Sequence, residues 1–274
     1  MLMTIQEILA IAEKRNCAIP AFNVYNLETA MGIANAARET KAPVIFQVYS
    51  RLFDSPNARY LAPSLLQMAK DLPGPAVFHM DHGTGPEQMM RALSYGTTGI
   101  MIDASTLPLE KNISKTKTIV DLCQAVGVGV EGELGHIGST AEEMAEYTSA
   151  DEAQRYAKET GISALAIMVG TAHGRYKQAP QIDINRINEI REAVRIPLVL
   201  HGGSGIPNDQ IRSSIQAGIR KINFGTDVCY SFLDAVFKVN RSIVGIDLFM
   251  KEPVEMVKRF AIEKIKLLGA DANG

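Results

Sequence analysis

The sequence predicts a closed (β/α)8 barrel, the TIM-barrel architecture, on three observations. Eight short apolar runs recur along the chain, each associated with a segment of helical periodicity. The length of 274 residues suits eight such units. No glycine-rich dinucleotide-binding turn follows the first run, as an open doubly wound sheet would usually show; residues 22–26 stand there instead. We therefore expect one barrel domain over residues 1–274, with extra helices at the C-terminal end.

The predicted strands are apolar runs with the lengths of buried parallel strands. Alternation of such runs with helices is typical of a parallel sheet that closes on itself. The predicted strands span residues 18–24, 43–48, 76–80, 99–102, 127–133, 164–169, 196–200 and 221–224.

The predicted helices are bounded by recognisable capping residues. Thr4 is a candidate N-cap, and Gly96, Gly127, Gly161 and Gly218 stand where C-caps are expected. The predicted helices span residues 4–15, 27–40, 86–95, 109–125, 150–160, 185–194 and 207–217, followed by 226–239 and 253–268 in the tail.

Composition and charge narrow the functional class. Hydrophobic residues make up 46% of the chain and charged residues 21%, which indicates a full core. A net charge of −2 without a basic cluster argues against nucleic-acid binding. There is no apolar run of about 18 residues or leader pattern, so we expect no membrane span and a cytoplasmic protein. Cys17, Cys123 and Cys229 are widely spaced and are interpreted as reduced thiols.

Polar residues follow the predicted strands at the end where barrel enzymes carry their chemistry. Asp81 and His82 end the third strand side by side, and a strand that breaks into a loop there can turn both toward one site. The acidic residues and histidines at these strand ends are Asp81, His82, Asp103, Glu131, Glu133, His173 and His201.

Three of these residues are histidines from separate strands. His82, His173 and His201 together predict an open catalytic zinc site, because three neutral imidazoles leave room for substrate on the metal. His79 lies inside the third run and is interpreted as a packed or supporting histidine. His136 lies in a polar loop and is expected to be exposed.

Two glycine-containing turns follow strands seven and eight, where this architecture often binds phosphate. Their glycines let backbone N–H groups approach an anion, and the last barrel helix offers its N-terminus to negative charge. The turn residues are Gly202, Gly203, Ser204 and Gly205 in the first, and Asn223, Phe224, Gly225 and Thr226 in the second.

Seven motifs spread along the chain resemble those of the class II, zinc-dependent ketose-bisphosphate aldolases, the fructose- and tagatose-bisphosphate enzymes. The resemblance covers nearly the whole sequence. The motifs are Ile19-Pro20-Ala21-Phe22-Asn23, His79-x-Asp81-His82-Gly83, Met101-Ile102-Asp103, Glu131-x-Glu133-Leu134-Gly135, Gly170-Thr171-Ala172-His173-Gly174, His201-Gly202-x-Ser204 and Asn223-x-x-Thr226.

The resemblance implies a role for each matching residue. The zinc ligands fall on His82, His173 and His201, and the catalytic acid/base falls on Asp81. It also implies a homodimer or homotetramer. Asp103 and Glu133 match carboxylates that serve a second or alternate metal position, and the dihydroxyacetone-phosphate contacts fall on Gly174, Gly202, Gly203, Ser204, Asn223, Phe224, Gly225 and Thr226.

The implied reaction is reversible cleavage of a ketose 1-phosphate or 1,6-bisphosphate to dihydroxyacetone phosphate and an aldehyde. Zn²⁺ would act as a Lewis acid that stabilises the ene-diolate, while Asp81 would exchange a proton with the C4 hydroxyl. A Schiff-base mechanism would need a lysine at a strand's C-terminal end. Lys221 is expected at the start of strand eight, so that mechanism is disfavoured.

The sequence departs from the family pattern at two positions that act on the substrate. The family's Gly-Gly-x-Glu-Asp loop corresponds to residues 138–143, where Ala141 replaces the glutamate and Glu142 or Glu143 is the candidate substitute. The family's Asp-Pro-Arg, whose arginine binds the distal phosphate across a subunit contact, corresponds to residues 247–249. Phe249 stands in place of that arginine.

The segment after strand two is also unusual, since Ser50-Arg51 replaces a serine-glycine turn. We hypothesise that Arg51, and with it Arg59, binds an anionic or polar group at the far end of the substrate that differs from the usual phosphate, such as a carboxylate or a sulfonate. Asn23 and Ser50 are further candidate site residues.

Two other functions remain open at this point. A sugar-phosphate isomerase or epimerase on the same barrel would also use a metal and a carboxylate, but would release no three-carbon product. A non-catalytic sugar-phosphate-binding subunit would explain the missing loop glutamate and arginine, but not the presence of Asp81 with all three histidines.

Overall fold

The computed structural model describes residues 1–136, 147–174, 176 and 178–271. Eight parallel strands form a closed barrel in which each strand pairs with the next and the last pairs with the first. The predicted (β/α)8 fold is therefore confirmed. The strands are β1 (Ile19–Asn23), β2 (Val44–Tyr49), β3 (Ala76–Gly83), β4 (Gly99–Ile102), β5 (Gly129–Leu134), β6 (Ala164–Ile167), β7 (Leu198–Leu200) and β8 (Ile219–Phe224).

Helices connect the strands and extend the chain beyond the barrel. Those in the described residues are α1 (Ile5–Arg15), α2 (Leu27–Thr40), α3 (Ser50–Asp54), α4 (Ala58–Asp71), α5 (Pro86–Ser94), α6 (Leu109–Gln124), α7 (Ala150–Thr160), α8 (Ile184–Ala193), α9 (Asn208–Ala217), α10 (Thr226–Lys238), α11 (Ile246–Phe249) and α12 (Lys251–Leu267).

Side chains at alternate strand positions face the inside of the barrel, and their chemistry changes along the strands. Ala21, Ile45 and Val77 lie in register as an apolar row, which packs against the buried face of α1. This helix begins at a capping box formed by Thr4 and Glu7, and it covers the N-terminal end of the barrel. The next row, two residues further along the same strands, is polar and consists of Asn23, Gln47 and His79.

The positions between these rows carry the outer core. Phe22, Phe46 and Phe78 alternate with the inward residues and belong to the large apolar cluster shared with the surrounding helices. Burial of each such side chain contributes about 1.5–3 kcal/mol to folding. The strands therefore separate a packed exterior from an interior that becomes polar toward the C-terminal end.

The predicted C-terminal helices are present. α12 packs against α2 and α10, and buries Val257, Ala261 and Ile265. A Cβ at Gly32 of α2 would lie 2.7 Å from Val257 Cβ, so glycine permits this close helix contact. In the described part of the chain, no helix has both the length and the apolar character needed to cross a membrane.

Two helices after β2 were not predicted. α3 begins at Ser50 without a side-chain cap, and α4 contains Pro63 in its interior. Proline in a helix interior normally counts against a helix, and a cap is the usual signal of its start. These helices place the segment after β2 beside the mouth of the barrel.

Candidate active site

A cavity of about 460 Å³ opens at the C-terminal end of the barrel. Its walls come from the ends of the strands and the segments that follow them, as expected for this architecture. The residues that line it are Asn23, Tyr25, Tyr49, Arg51, Asp81, His82, Asp103, His136, His173, Gly174, Gly202, Ser204, Asn223, Gly225 and Thr226.

Asp81 and His82 both reach this cavity although they are adjacent in β3. Successive residues of a regular strand point to opposite faces. Here the pairing of β3 with β4 shifts register between Met80 and Gly83, and His82 adopts φ +48°. The expectation that the strand would already have ended was wrong, because β3 continues to Gly83. An irregularity within the strand turns His82 inward beside Asp81.

The structure brings the three predicted metal-binding histidines together. The ring centroids of His173 and His201 lie 5.0 Å from that of His82 and 5.8 Å from each other. One ligand nitrogen from each ring lies within 4.8 Å of the other two. A second such group consists of His82, Asp103 and Glu133.

This donor set fits a divalent metal ion. Three imidazoles from different strands converge on one point, as in catalytic zinc sites. Nδ1 of the fully buried His201 makes no hydrogen bond in the described structure, although Oε2 of Glu133 lies 3.3 Å away. Buried polar atoms are normally satisfied, so an unsatisfied buried nitrogen within a cluster of three imidazoles is what a metal ligand requires.

The carboxylates favour positive charge in the site. Burial opposes the charged form of His82, but the charge of Asp81 and the hydrogen bond that His82 donates to Asp103 raise the pKa of His82 to about 10. Burial, together with the charges of His82 and His201, lowers the pKa of His173 to about 4. The site therefore attracts a cation, and it supplies neutral imidazole most readily at His173.

Asp81 is held through one of its two oxygens. Asn23 Nδ2 donates to Oδ2 at 2.9 Å, and Gln47 Nε2 donates to Asn23 Oδ1 at 3.3 Å. Oδ1 is buried and accepts no hydrogen bond from the described residues. Burial works against ionisation, but the neighbouring charges of His82, His201 and Lys221 lower the pKa of Asp81. The residue is thus an oriented carboxylate with one oxygen available.

The turn after β7 lies against the β6 end. Gly202 has φ +66°, and a Cβ there would lie 2.3 Å from Ala172 O. Tyr176 Oη accepts from the Ala172 N–H at 2.9 Å and donates to Gly202 O at 3.0 Å. Nothing in the sequence pattern pointed to Tyr176, because its partners are backbone groups from two separate loops.

The N-terminus of α10 faces the same turn. Gly225 occupies the N-cap and has no side chain to cap the helix, so a ligand can approach its N-terminus. Ser204 Oγ accepts from the Asp227 N–H at 3.0 Å, which joins the two turns. Gly202, Ser204, Asn223, Gly225 and Thr226 line one side of the cavity.

Comparison with known proteins agrees with this arrangement. The family model described as fructose-bisphosphate aldolase class-II matches residues 3–273. The chain belongs to the class II fructose-bisphosphate aldolase family. A protein of Escherichia coli (strain K12), described as uncharacterized protein YdjI, is 38% identical over 267 residues, which cover 96% of this chain and 95% of YdjI.

Solved structures resemble this class II aldolase over nearly their full length. The crystal structure of the YdjI aldolase from Escherichia coli K12 has a TM-score of 0.91 and 35% identity, and covers 100% of this chain and 99% of that chain. A putative fructose-1,6-bisphosphate aldolase from Coccidioides immitis has a TM-score of 0.92 and 25% identity over 98% and 97% of the two chains.

Several predicted site residues of the aldolase do not line the cavity. Phe224 packs in the core against Phe22, with ring centroids 5.9 Å apart, because it occupies an outward position of β8. Ser50 is buried at the start of α3, and the Gly203 N–H donates to Asn223 O at 3.0 Å. Glu142 and Glu143 lie outside the described residues.

The cavity lining also contains residues that the sequence pattern did not assign to the site. Tyr25 and Tyr49 line the cavity, and His136 does so although it is exposed, as predicted. The Tyr49 ring lies 5.6 Å from the His82 ring, and the Arg51 guanidinium lies 5.1 Å from the centre of the Tyr49 ring. Tyr49 thus links Arg51 to the histidine cluster.

Two residues discussed for the distal end of the substrate lie outside the cavity lining. Arg59 does not line the cavity; its guanidinium donates to Pro56 O on the outside of α4. Phe249 ends the short helix α11 and is half-buried, and it also lies outside the cavity lining of its own chain. Of the two arginines considered, only Arg51 is placed to contact a substrate.

Lys221 does not lie where the sequence suggested. β8 begins at Ile219, two residues earlier than predicted, so Lys221 is inside the barrel rather than at its start. Its ammonium group is fully buried and lies 2.9 Å from Glu131 Oε2. His79, predicted as a packed histidine, lies in the same interior region, with Nε2 3.6 Å from Glu131 Oε2.

Proposed function

We propose that this class II aldolase is a metal-dependent enzyme that reversibly cleaves a ketose 1-phosphate or 1,6-bisphosphate to dihydroxyacetone phosphate and an aldehyde. One observation carries the proposal: an oriented carboxylate, Asp81, has a free buried oxygen beside three converging imidazoles. Proton transfer and metal binding are the two requirements of this aldol chemistry.

His82, His173 and His201 are the proposed metal ligands, and Zn²⁺ is the proposed ion. Asp103 and Glu133 are proposed for a second or alternate position, since both belong with His82 in one potential ligand group. A bound zinc ion would supply Lewis-acid polarisation of the ketose carbonyl.

Asp81 is the proposed acid/base. Its Oδ2 is fixed by Asn23, so Oδ1 is the oxygen that would accept the C4 hydroxyl proton during cleavage and return it during condensation. Asn23 acts as a positioning residue in this scheme, because it holds the carboxylate orientation.

The phosphate of the dihydroxyacetone-phosphate half is assigned to the glycine turns. The N-terminus of α10, which has no side-chain cap from Gly225, and the hydroxyl of Ser204 are suited to a phosphate oxygen. Gly174, Gly202, Asn223 and Gly225 complete this side of the cavity.

The other end of the substrate is assigned to Tyr49 and Arg51. The guanidinium of Arg51 is exposed at the cavity wall, and it forms no ion pair with a carboxylate in the described part of the chain. An arginine without such a partner suits an anionic group that presents two oxygens to the guanidinium, as a carboxylate or a sulfonate does. We propose that the substrate carries a carboxylate, or alternatively a sulfonate, where a bisphosphate carries its second phosphate.

A substrate panel tests the reaction. Release of dihydroxyacetone phosphate is measured from ketose 1-phosphates that differ at C6, each with and without a chelator. We expect chelator-sensitive release from at least one compound. Conversion of the sugars without release of a three-carbon product would instead identify an isomerase or epimerase. Absence of both reactions in metal-loaded protein would favour a sugar-phosphate-binding subunit.

The assignment of Arg51 has a matched control. Arg51→Ala is expected to lower kcat/KM at least tenfold for the best substrate with an anionic end, and to change it little for a substrate with a neutral end. Arg59→Ala removes an exposed arginine that does not line the cavity, and is expected to have no such effect. Equal kcat/KM values for Arg51→Ala and the unmodified protein would contradict the assignment.

A homodimer or homotetramer is proposed for the assembly. Large apolar side chains on α10 and the following segment are exposed, including Phe237 at 83% and Val244 at 89%. Exposed apolar patches of this kind are typical of protein interfaces. Sedimentation equilibrium of the protein and of a Phe237→Asp variant tests this, with dissociation expected in the variant; a monomeric parent protein would contradict it.

A further inference from the structure

A layer of charged side chains lies inside the barrel, between the apolar row that packs against α1 and the histidine cluster. Lys221 of β8 and Glu131 of β5 are both fully buried there, together with His79. The neighbouring interior layer is apolar, with Ala21, Ile45, Val77 and Val199 packed on α1. The proposed reaction uses none of the three residues in the charged layer.

The charged layer is fixed by short contacts. Lys221 Nζ donates to Asn223 Oδ1 at 2.8 Å and lies 3.1 Å and 2.9 Å from Oε1 and Oε2 of Glu131. Both carboxylate oxygens of Glu131 are thus held by one ammonium group. Asn223 in turn lines the cavity, so the charged layer is connected to the candidate site through this residue.

Glu131 also reaches His201. Glu131 Oε1 lies 2.9 Å from Nε2 of His201, while Nδ1 of the same ring lies on the side of Glu133, whose Oε2 is 3.3 Å away. The two nitrogens of His201 therefore face different surroundings. Nε2 faces the charged layer, and Nδ1 makes no hydrogen bond in the described structure.

A buried ion pair is a poor means of stabilising a fold. Desolvation of two charges commonly offsets their attraction, and apolar side chains of similar volume are often as stable or more stable. The adjacent interior layer is apolar, so this barrel does accommodate apolar packing in its interior. Because Glu131 also contacts His201, the ion pair can orient that histidine rather than stabilise the fold.

We propose that Lys221 and Glu131 are positioning residues for the metal site. Lys221 fixes the Glu131 carboxylate, Glu131 accepts the Nε2–H of His201, and His201 is thereby oriented to bind the metal through Nδ1. A carboxylate that accepts from the remote nitrogen of a ligand histidine sets its tautomer and orientation, and strengthens metal binding. This inference rests on the proposed function, because it requires a metal at the histidines.

Metal affinity and thermal stability, measured on the same variants, test the proposal. Zn²⁺ dissociation constants are determined by competition with a chromophoric chelator for the unmodified protein, Lys221→Met, Glu131→Gln and the double variant. Each single variant is expected to bind Zn²⁺ about 10–100-fold more weakly. The single variants are also expected to melt at lower temperature, because each leaves a buried polar group without its partner.

The double variant separates positioning from simple structural support. It leaves neither a buried ammonium nor a buried carboxylate in the pair, so its melting temperature is expected to recover relative to the single variants. Its Zn²⁺ affinity is expected to stay at least tenfold weaker. Recovery of the affinity to within about twofold of the parent protein would overturn the proposal.

A charge pair at the other end of the barrel provides the control. Glu13 Oε2 lies 3.0 Å from Nε of Arg220, which is buried near the N-terminal end of β8. Glu13→Gln combined with Arg220→Met is expected to lower the melting temperature without changing Zn²⁺ affinity. An equal loss of affinity in this control would overturn the assignment to the charged layer.

The ligand nitrogen gives a readout independent of activity. Long-range ¹H–¹⁵N spectra of the zinc-loaded protein distinguish Nδ1 from Nε2 coordination, with the His201 signals assigned by their absence in His201→Ala. Nδ1 coordination is expected, and Nε2 coordination would overturn the inference. Failure of the parent protein to bind Zn²⁺ would overturn the proposed function as well, whereas unchanged binding in the variants would overturn this inference alone.

Discussion

A histidine at position 82 adopts a left-handed backbone conformation that is uncommon for residues other than glycine. Such a conformation costs about 1–3 kcal/mol and persists only where the surroundings enforce it. Here it places the His82 ring beside Asp103 and next to the ring of His173. The strained backbone of His82 is therefore linked to the proposed metal site, because it positions a proposed ligand.

Asp81 provides the first prediction. Asp81→Asn keeps the shape of the side chain but removes the base, so kcat for release of dihydroxyacetone phosphate should fall about 10²–10⁴-fold. Zn²⁺ affinity should change much less, because the proposed ligands are the three histidines. Steady-state kinetics and metal titration on one preparation check both statements, and retention of more than a tenth of the activity would contradict the assigned role.

The turn after β7 provides the second prediction. Gly202→Ala would place a Cβ 2.3 Å from Ala172 O, so the turn must move away from the β6 end. We expect the KM for the phosphorylated ketose to rise about tenfold or more. Gly205→Ala is the control, since its φ of +78° is also left-handed but the nearest atom to the new Cβ is Tyr176 Cδ2 at 3.3 Å. Equal changes in KM would show that the displacement of the turn is not responsible.

The barrel strands were predictable because their apolar runs are buried from both sides and interrupted by helical patterns. The two helices after β2 were not, since α3 lacks a cap and α4 contains Pro63. The extension of β3 to Gly83 was missed for a related reason: Asp81 and His82 resemble the start of a loop. Polar residues that belong to a site obscure the pattern of the element that carries them.

The candidate site was predictable where a polar side chain lies at or beyond the C-terminal end of a predicted strand. His82, His173 and His201 were found in this way, and the structure brings them together. Tyr49 and Tyr176 were not found, because the geometry of the closed barrel brings these tyrosines to the site from positions with no sequence signal.

The closed barrel gathers acidic side chains from several strands around one point. Asp81, Glu131 and Glu133 are buried there, and Asp103 lies at the edge, while Lys221 is a buried ammonium group among them. Concentrated negative charge inside a fold is costly unless cations compensate it. A divalent ion would therefore stabilise the folded barrel as well as serve the reaction.

Metal removal provides the third prediction. A ligand present at about 1,000 times its dissociation constant stabilises the folded state by about 4 kcal/mol. For a chain of this size that corresponds to a rise in melting temperature of about 8–16 °C. Differential scanning calorimetry with Zn²⁺ and with a chelator measures the shift. In His173→Ala the shift should become small, and an undiminished shift would place the metal elsewhere.

Hydrogen exchange of dihydroxyacetone phosphate tests the proposed aldolase function most directly, because it does not depend on the unknown aldehyde. The compound is incubated in D2O with the zinc-loaded protein and followed by ¹H NMR. The proposed function predicts replacement of one hydrogen on the hydroxymethyl carbon, loss of this exchange with a chelator and recovery on return of Zn²⁺. Retention of both hydrogens in the presence of metal-saturated protein would contradict the proposed aldolase chemistry.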